Sequence, residues 1–242
     1  MAHISRHELK QDELRSTYEE FEDFVRTNYR QIATVAGIVI VVAGLAVGLR
    51  EYQNRRESEA NVALGAALKS FRAYVGEMPQ SSLMPGLVTF SSQQEKYKKA
   101  QEQFQEVIAK FSSTPEPKAV AVARYHIGLC QSFLGDSAAA TKTLEEASRT
   151  ADPEIAALAK FALAGEYVKA GKTADAARIY QEVAAKPTST VPESTSKLAL
   201  ADLYRSTEPK RAREIYLQLE KQFASNTTIT QAVKDKISTL PQ

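Results

Sequence analysis

Between Arg30 and Arg50 the chain runs through nineteen residues without a charge, QIATVAGIVIVVAGLAVGL. As a helix rising about 1.5 Å per residue this stretch is about 28 Å long, the thickness of a bilayer's hydrocarbon core, so residues 31–49 are expected to span a membrane. A cleaved signal peptide fits less well. Thirty residues precede the run, and it continues into the charged REYQNRRESEA without a small-residue cleavage site. No cysteine follows it to carry a lipid. Gly44 and Gly48, extended by Gly37 and Ala33 on nearly the same face, make a small-residue stripe on which another membrane helix can pack closely. Three basic residues in the twenty before the span (Arg15, Arg26, Arg30) face four in the twenty after it (Arg50, Arg55, Arg56, Lys69), so charge alone leaves the orientation open.

Ahead of the span, Ser5 and Glu8 have capping-box spacing, and Leu14, Tyr18, Phe21 and Val25 recur on one helical face. Residues 1–30 are therefore expected to form a tail with an amphipathic helix. Its five Lys/Arg against seven Asp/Glu make it a poor ligand for anionic lipid, which leaves a docking helix or a solvated leader.

Residues 50–242 carry a repeat. Ala140, Ala176 and Ala212 are 36 residues apart, and Ala100 precedes the first by 40. Four residues after each stands a bulky side chain, in order Phe104, Leu144, Tyr180 and Tyr216; three further on come Val107, Ala147, Val183 and Leu219. A small residue followed by a bulky one suits a helical hairpin, where the first lets two helices approach and the second fills the space beside the contact. Gly135 and Gly171 lie five residues before Ala140 and Ala176, where the chain must leave one helix and begin the next in a conformation with φ > 0. Upstream lie the apolar helical segments AVARYHIGLCQSFL and IAALAKFALAGEYVKA. In the first unit, a face of Ala60, Leu64, Leu68, Phe71 and Val75 is separated from QQEKYKKAQEQFQEVIAKF by MPQSSLMPGLVTFSS, which reads as an exposed loop. TITQAVKDKISTL is the expected closing helix.

Composition narrows the function classes. Thirty-one Lys/Arg against twenty-nine Asp/Glu leave a net charge of +2, too weak a field for a nucleic-acid binder. Gly-rich phosphate loops, nucleophile elbows and metal-ligand spacings are absent from the sequence, so no enzyme, cofactor, metal or small-molecule substrate is expected. His126 and Cys130, at i and i+4, supply two ligands at most and read as core or interface residues.

The repeat resembles the tetratricopeptide repeat. Gly128 and Ala164 fill the small position of the first helix, Gly135 and Gly171 the turn, Ala100 with Phe104 the A-x-x-x-F of the second helix, and Pro153 and Pro187 fall near its close. The period is 36 rather than 34 residues, the first helices have no Trp, and the third unit, LALADLYRSTEPKRAREIYLQLEK, has no Gly in its turn. The resemblance implies an all-α protein: one transmembrane helix, then a right-handed α-solenoid of about three and a half hairpins with a capping helix. In layout the chain is similar to the YfgM-like family of ancillary Sec translocon subunits, most locally where the Gly-containing span runs into Leu49-Arg50-Glu51-Tyr52 and an Ala-rich helix. That resemblance implies a bacterial inner-membrane protein with a cytoplasmic N-terminus and a periplasmic repeat domain. Its implied partners are translocon subunits, periplasmic folding factors or nascent chains.

An alternative with the same layout is a cytosol-facing docking receptor, or an assembly factor for a membrane complex. Aligned with the repeat family, the inner-face positions are Tyr125, Leu129, Phe133, Phe161, Lys169, Lys197, Tyr204 and Arg205. The first of these are aromatic and aliphatic. An extended or helical apolar peptide therefore suits the face better than a carboxylate clamp does, unless some of these side chains are buried between hairpins.

Overall fold

The computed structural model describes residues 6–76 and 88–240, with side chains from Phe24 onward. The described residues form nine helices: α1 (Arg6–Arg72), α2 (Gln93–Phe111), α3 (Lys118–Phe133), α4 (Ser137–Ala147), α5 (Pro153–Lys169), α6 (Thr173–Ala185), α7 (Glu193–Tyr204), α8 (Pro209–Gln222) and α9 (Thr227–Ser238). The chain divides into two compact units, Met1–Arg55 and Arg56–Gln242.

Within the first unit the tail from Arg6 onward and the apolar run are parts of one uninterrupted helix rather than two elements. The reason is local: no proline interrupts residues 6–72, and Thr34, whose hydroxyl could compete for the backbone, donates it to the Arg30 carbonyl at 2.7 Å within the same helix. α1 contains a stretch long and apolar enough to cross a membrane. Val39, Ile40, Val41, Val42, Leu45, Val47 and Leu49 along it are all exposed. A Cβ placed on Gly37, Gly44 or Gly48 would meet nothing within 4 Å, so the stripe is unoccupied by any described residue. The Ser5 capping position lies outside the described residues.

In the second unit each helix packs on the next, from α2 through α9, and α3 also lies against α5. Two turns show why the hairpins close so tightly. Gly135 has φ +84° and Gly171 φ +71°. Behind each, the amide of the following residue reaches back to the previous helix, Asp136 to the Gln131 carbonyl at 2.9 Å and Lys172 to that of Tyr167 at 2.8 Å. The two glycines themselves donate to Ser132 and Val168, which completes the Schellman pattern in both. Asp136 is at once the last residue of that motif and the N-cap of α4, where its side chain accepts the Ala139 amide at 3.0 Å. The turn between α7 and α8 has no glycine and no left-handed residue; Glu208 donates its amide to the Tyr204 carbonyl at 2.8 Å and Pro209 opens α8.

The small and bulky repeat positions all lie in the interior. Ala100, Ala140, Ala176 and Ala212 are fully buried, and Phe104, Leu144, Tyr180 and Tyr216 are at most 6% exposed. Pro153 begins α5, the position where its missing N–H costs nothing, and Pro187 follows the end of α6. α3 approaches α4 tightly at Gly128, where a Cβ would stand 2.7 Å from both Cγ and Cδ2 of Leu144. Ala60, Leu64 and Ala67 of α1 join α2 and α3 in one apolar cluster. Arg56 donates to the Phe111 carbonyl at 3.1 Å and to the Ser113 hydroxyl at 2.6 Å, fastening that part of α1 to the end of α2. Among the described residues α2 to α9 thus follow one another as packed neighbours, with the end of α1 sharing the apolar cluster of α2 and α3. The segment expected to be a loop is bounded by a strand pair, β1 (Tyr74–Val75) and β2 (Thr89–Phe90), joined in parallel; residues 77–87 between them lie outside the described residues. Strands of two residues leave no alternation in the sequence to detect.

Gly128 and Gly165 give opposite expectations for the same change. Gly128→Ala should destabilise by about 1–2 kcal/mol, overpacking against Leu144 outweighing about 1 kcal/mol of helix propensity gained. Gly165, with nothing within 4 Å of its Cβ position, should gain about 0.5–1 kcal/mol as alanine. Thermal melts of the two variants decide, and a stabilised Gly128→Ala would show that α3 and α4 do not meet there.

Candidate interaction face on α3 and α5

Phe133, the last residue of α3, is 59% exposed although it is a large apolar ring. It is held in place from one side. Its ring stacks on Tyr97 of α2 with centroids 4.4 Å apart and planes 8° apart, and lies 6.2 Å from Phe71 of α1. Phe71 in turn meets His126 edge-on at 5.1 Å, and His126 stacks on Phe104 at 5.0 Å. The open ring is thus the outermost member of an aromatic column rooted in the core, which fixes its orientation without covering its outer face. Leu129 and Tyr125, one and two turns earlier on α3, are half-buried, as is Phe161 on α5, whose ring is 5.3 Å from Tyr180.

The charged positions assigned to this face are committed internally. Lys169 donates to Glu166 Oε1 at 2.7 Å and to Ser132 Oγ at 2.6 Å, while Ser132 donates to the same carboxylate oxygen at 2.6 Å. This triad bridges α3 and α5. Glu166 is only 3% exposed; burial pushes its carboxyl up, but the hydrogen bonds from Lys169 and Ser132 prevail and hold it below the usual range. Its other oxygen has no partner among the described residues. Lys197 pairs with Glu193 at 2.6 Å and donates to Gln222 Oε1 at 2.8 Å. Arg205 donates to Thr239 Oγ1 at 3.1 Å.

Tyr204 departs from its assignment. It is 4% exposed, packed in the core of the later helices with the Arg211 guanidinium 4.1 Å from its ring centre. The glycine-free turn explains this, since α8 begins directly after Glu208 and lays Arg211 over the ring. Sequence reasoning also missed Tyr97 and Glu166. Tyr97 belongs to the first helical pair, whose halves are separated by the longest connection, so the repeat offered no register for it. Glu166 was legible as the i−3 partner of Lys169 on the same helical face.

Cys130 is fully buried beside the aromatic column, and burial pushes its thiol up to about 12, so it behaves as a small apolar side chain. His126 Nδ1 lies 2.9 Å from the Val122 carbonyl. Burial depresses its imidazole and nearby Arg72 adds to the effect, partly offset by that hydrogen bond. Among the described residues no group of three or more His, Cys, Asp or Glu is placed to hold a metal ion. No protein-family model, curated protein or solved structure matches the chain.

Because the folded-state pKa of His126 is depressed, the unfolded chain takes up the proton first. Stability is then lost as pH falls below the ordinary histidine value of about 6.5. His126→Phe, which keeps a ring between Phe71 and Phe104, should flatten the dependence of melting temperature on pH between about pH 7 and about pH 5. Identical slopes for the two proteins would show that the ring titrates as it does in solution.

Proposed function

We propose that this chain is a membrane-anchored scaffold that binds polypeptides on the face of α3 and α5, with its helical pairs stacked as a tetratricopeptide-type solenoid. The observation that carries the reading is Phe133. A ring that is 59% exposed, yet stacked against Tyr97, costs little conformational entropy on binding because it is already oriented. Half-buried Leu129, Tyr125 and Phe161 extend the same apolar character along two neighbouring helices. The polar groups nearby are consumed by the Ser132, Glu166 and Lys169 triad and by Lys197 with Glu193, so the face offers apolar contact rather than a ring of free charges. Such a face suits an extended or helical apolar segment.

The exposed apolar stretch of α1 supports anchoring through a single span at residues 31–49, since a contiguous run of uncovered aliphatic side chains is costly in water and matched to lipid. The layout further supports, through its resemblance to ancillary translocon subunits, an N-terminus in the cytoplasm and residues 50–242 in the periplasm of a bacterial inner membrane. There the protein would meet chains emerging from the translocon and pass them to folding factors.

Two measurements test this reading. A photo-crosslinking residue at 129, 133 or 161 in the membrane-inserted protein should capture polypeptide, whereas one at the buried position 204 should not; equal yields from all four sites would refute an open binding face. Alkaline phosphatase fused after Gln242 should be active, and an inactive fusion would place the repeat domain in the cytosol, as a docking receptor.

A further inference from the structure

A cleft of about 870 Å³ lies between the last turn of α1, the β1–β2 pair and the first turns of α2, lined by Leu68, Lys69, Arg72, Val75, Val88 and Lys96. Its walls are mainly apolar and carry three cations, Lys69, Arg72 and Lys96. None of its three cations forms an ion pair with an acidic group among the described residues. The macrodipole of α1 accounts for two of them, because Lys69 and Arg72 stand in its last turn, where positive charge is favoured. It does not account for the third. Lys96 is in the first turns of α2, where the helix end is itself positive and a cation is disfavoured. Its ammonium instead lies 5.0 Å from the centre of the Tyr97 ring, the same ring on which the exposed Phe133 stacks. The cationic cleft and the open aromatic face are thus continuous through one side chain.

We infer that this cleft is a subsite for acidic side chains of the bound polypeptide, so that the preferred guest carries Asp or Glu next to the apolar residues that lie on Phe133. The inference rests on the polypeptide-binding reading above and adds the chemistry that selects among guests. A carboxylate entering the cleft meets three cations. The apolar lining from Leu68, Val75 and Val88 removes water around the charge and strengthens the attraction. A lipid headgroup would satisfy the cations equally well but would make no use of the Tyr97 and Phe133 stack.

The test uses the full-length chain in nanodiscs of zwitterionic lipid and two fluorescein-labelled peptides that share one pattern of Leu and Phe. One carries Asp and Glu at its polar positions and the other Ser and Asn. Anisotropy titrations at low salt should show the acidic peptide binding roughly tenfold tighter, as expected for about three partly exposed charge pairs, with the difference collapsing when salt is raised to about 1 M. The variant combining Lys69→Gln, Arg72→Gln and Lys96→Gln should erase the preference, leave the neutral peptide's affinity unchanged and melt at the same temperature as the parent. Arg72→Gln alone should remove part of the preference, and it serves if the triple variant folds poorly. Equal binding of the two peptides to the parent, with Phe133→Ala weakening both, would overturn the subsite while sustaining the binding face; no binding of either would remove both. Binding of short-chain phosphatidylglycerol that depends on the three cations, without any preference for the acidic peptide, would reassign the cleft to a headgroup and also overturn the inference.

Discussion

Helices of 11 to 19 residues, the lengths of α2 to α9, are marginal on their own in water and persist only when a neighbour covers their apolar side. The whole arrangement after residue 56 depends on how that cover is made. A fully buried alanine on each second helix lets the partner approach, and a ring or leucine one turn later fills the remaining space. Where α3 meets α4 even alanine would be too large, and Gly128 leaves room for Leu144 with nothing to spare. Each helix from α2 to α9 packs on its neighbour in sequence.

The helices, their order and their turns were legible because the periodicity of alanines and the two glycines express strong local constraints. Gly135 and Gly171 had to be left-handed if the helices were to end there, and they are. The proposed binding face was only partly legible. Phe133 and Tyr204 are each the last residue of a first helix, but the 36-residue period matches Phe133 with Lys169 and Arg205 rather than with Tyr204, and one ring is open while the other is covered. The residues just beyond each ring make the difference: a Schellman turn ends α3 at Phe133, whereas past Tyr204 the chain enters α8 and places Arg211 over the ring. A repeat pattern cannot reveal that, because it describes what the units share. The strand pair at residues 74–75 and 89–90 and the cations of the neighbouring cleft were likewise invisible, belonging to a connection that occurs once.

Polar groups divide the same surface by another rule. Carboxylates between helices are paired: buried Glu166 with Lys169 and Ser132, and half-buried Asp202 with the Tyr216 hydroxyl at 2.5 Å and the Lys236 ammonium at 2.7 Å. These ties join α3 to α5 and α7 to both α8 and α9. They add directional ties to helices held mainly by apolar contact.

The apolar interior is not continuous along the stack. One cluster gathers the end of α1 with α2 and α3, the other runs from Leu144 to Val233, and the division falls within the α3–α4 pair. Such a break marks where cooperative opening would divide: amides in α4 to α9 would exchange with solvent through a sub-global transition that leaves the aromatic column around His126 intact. The two halves can therefore differ in lifetime. The half that carries the open Phe133 ring would keep its shape while the distal helices fray and re-form.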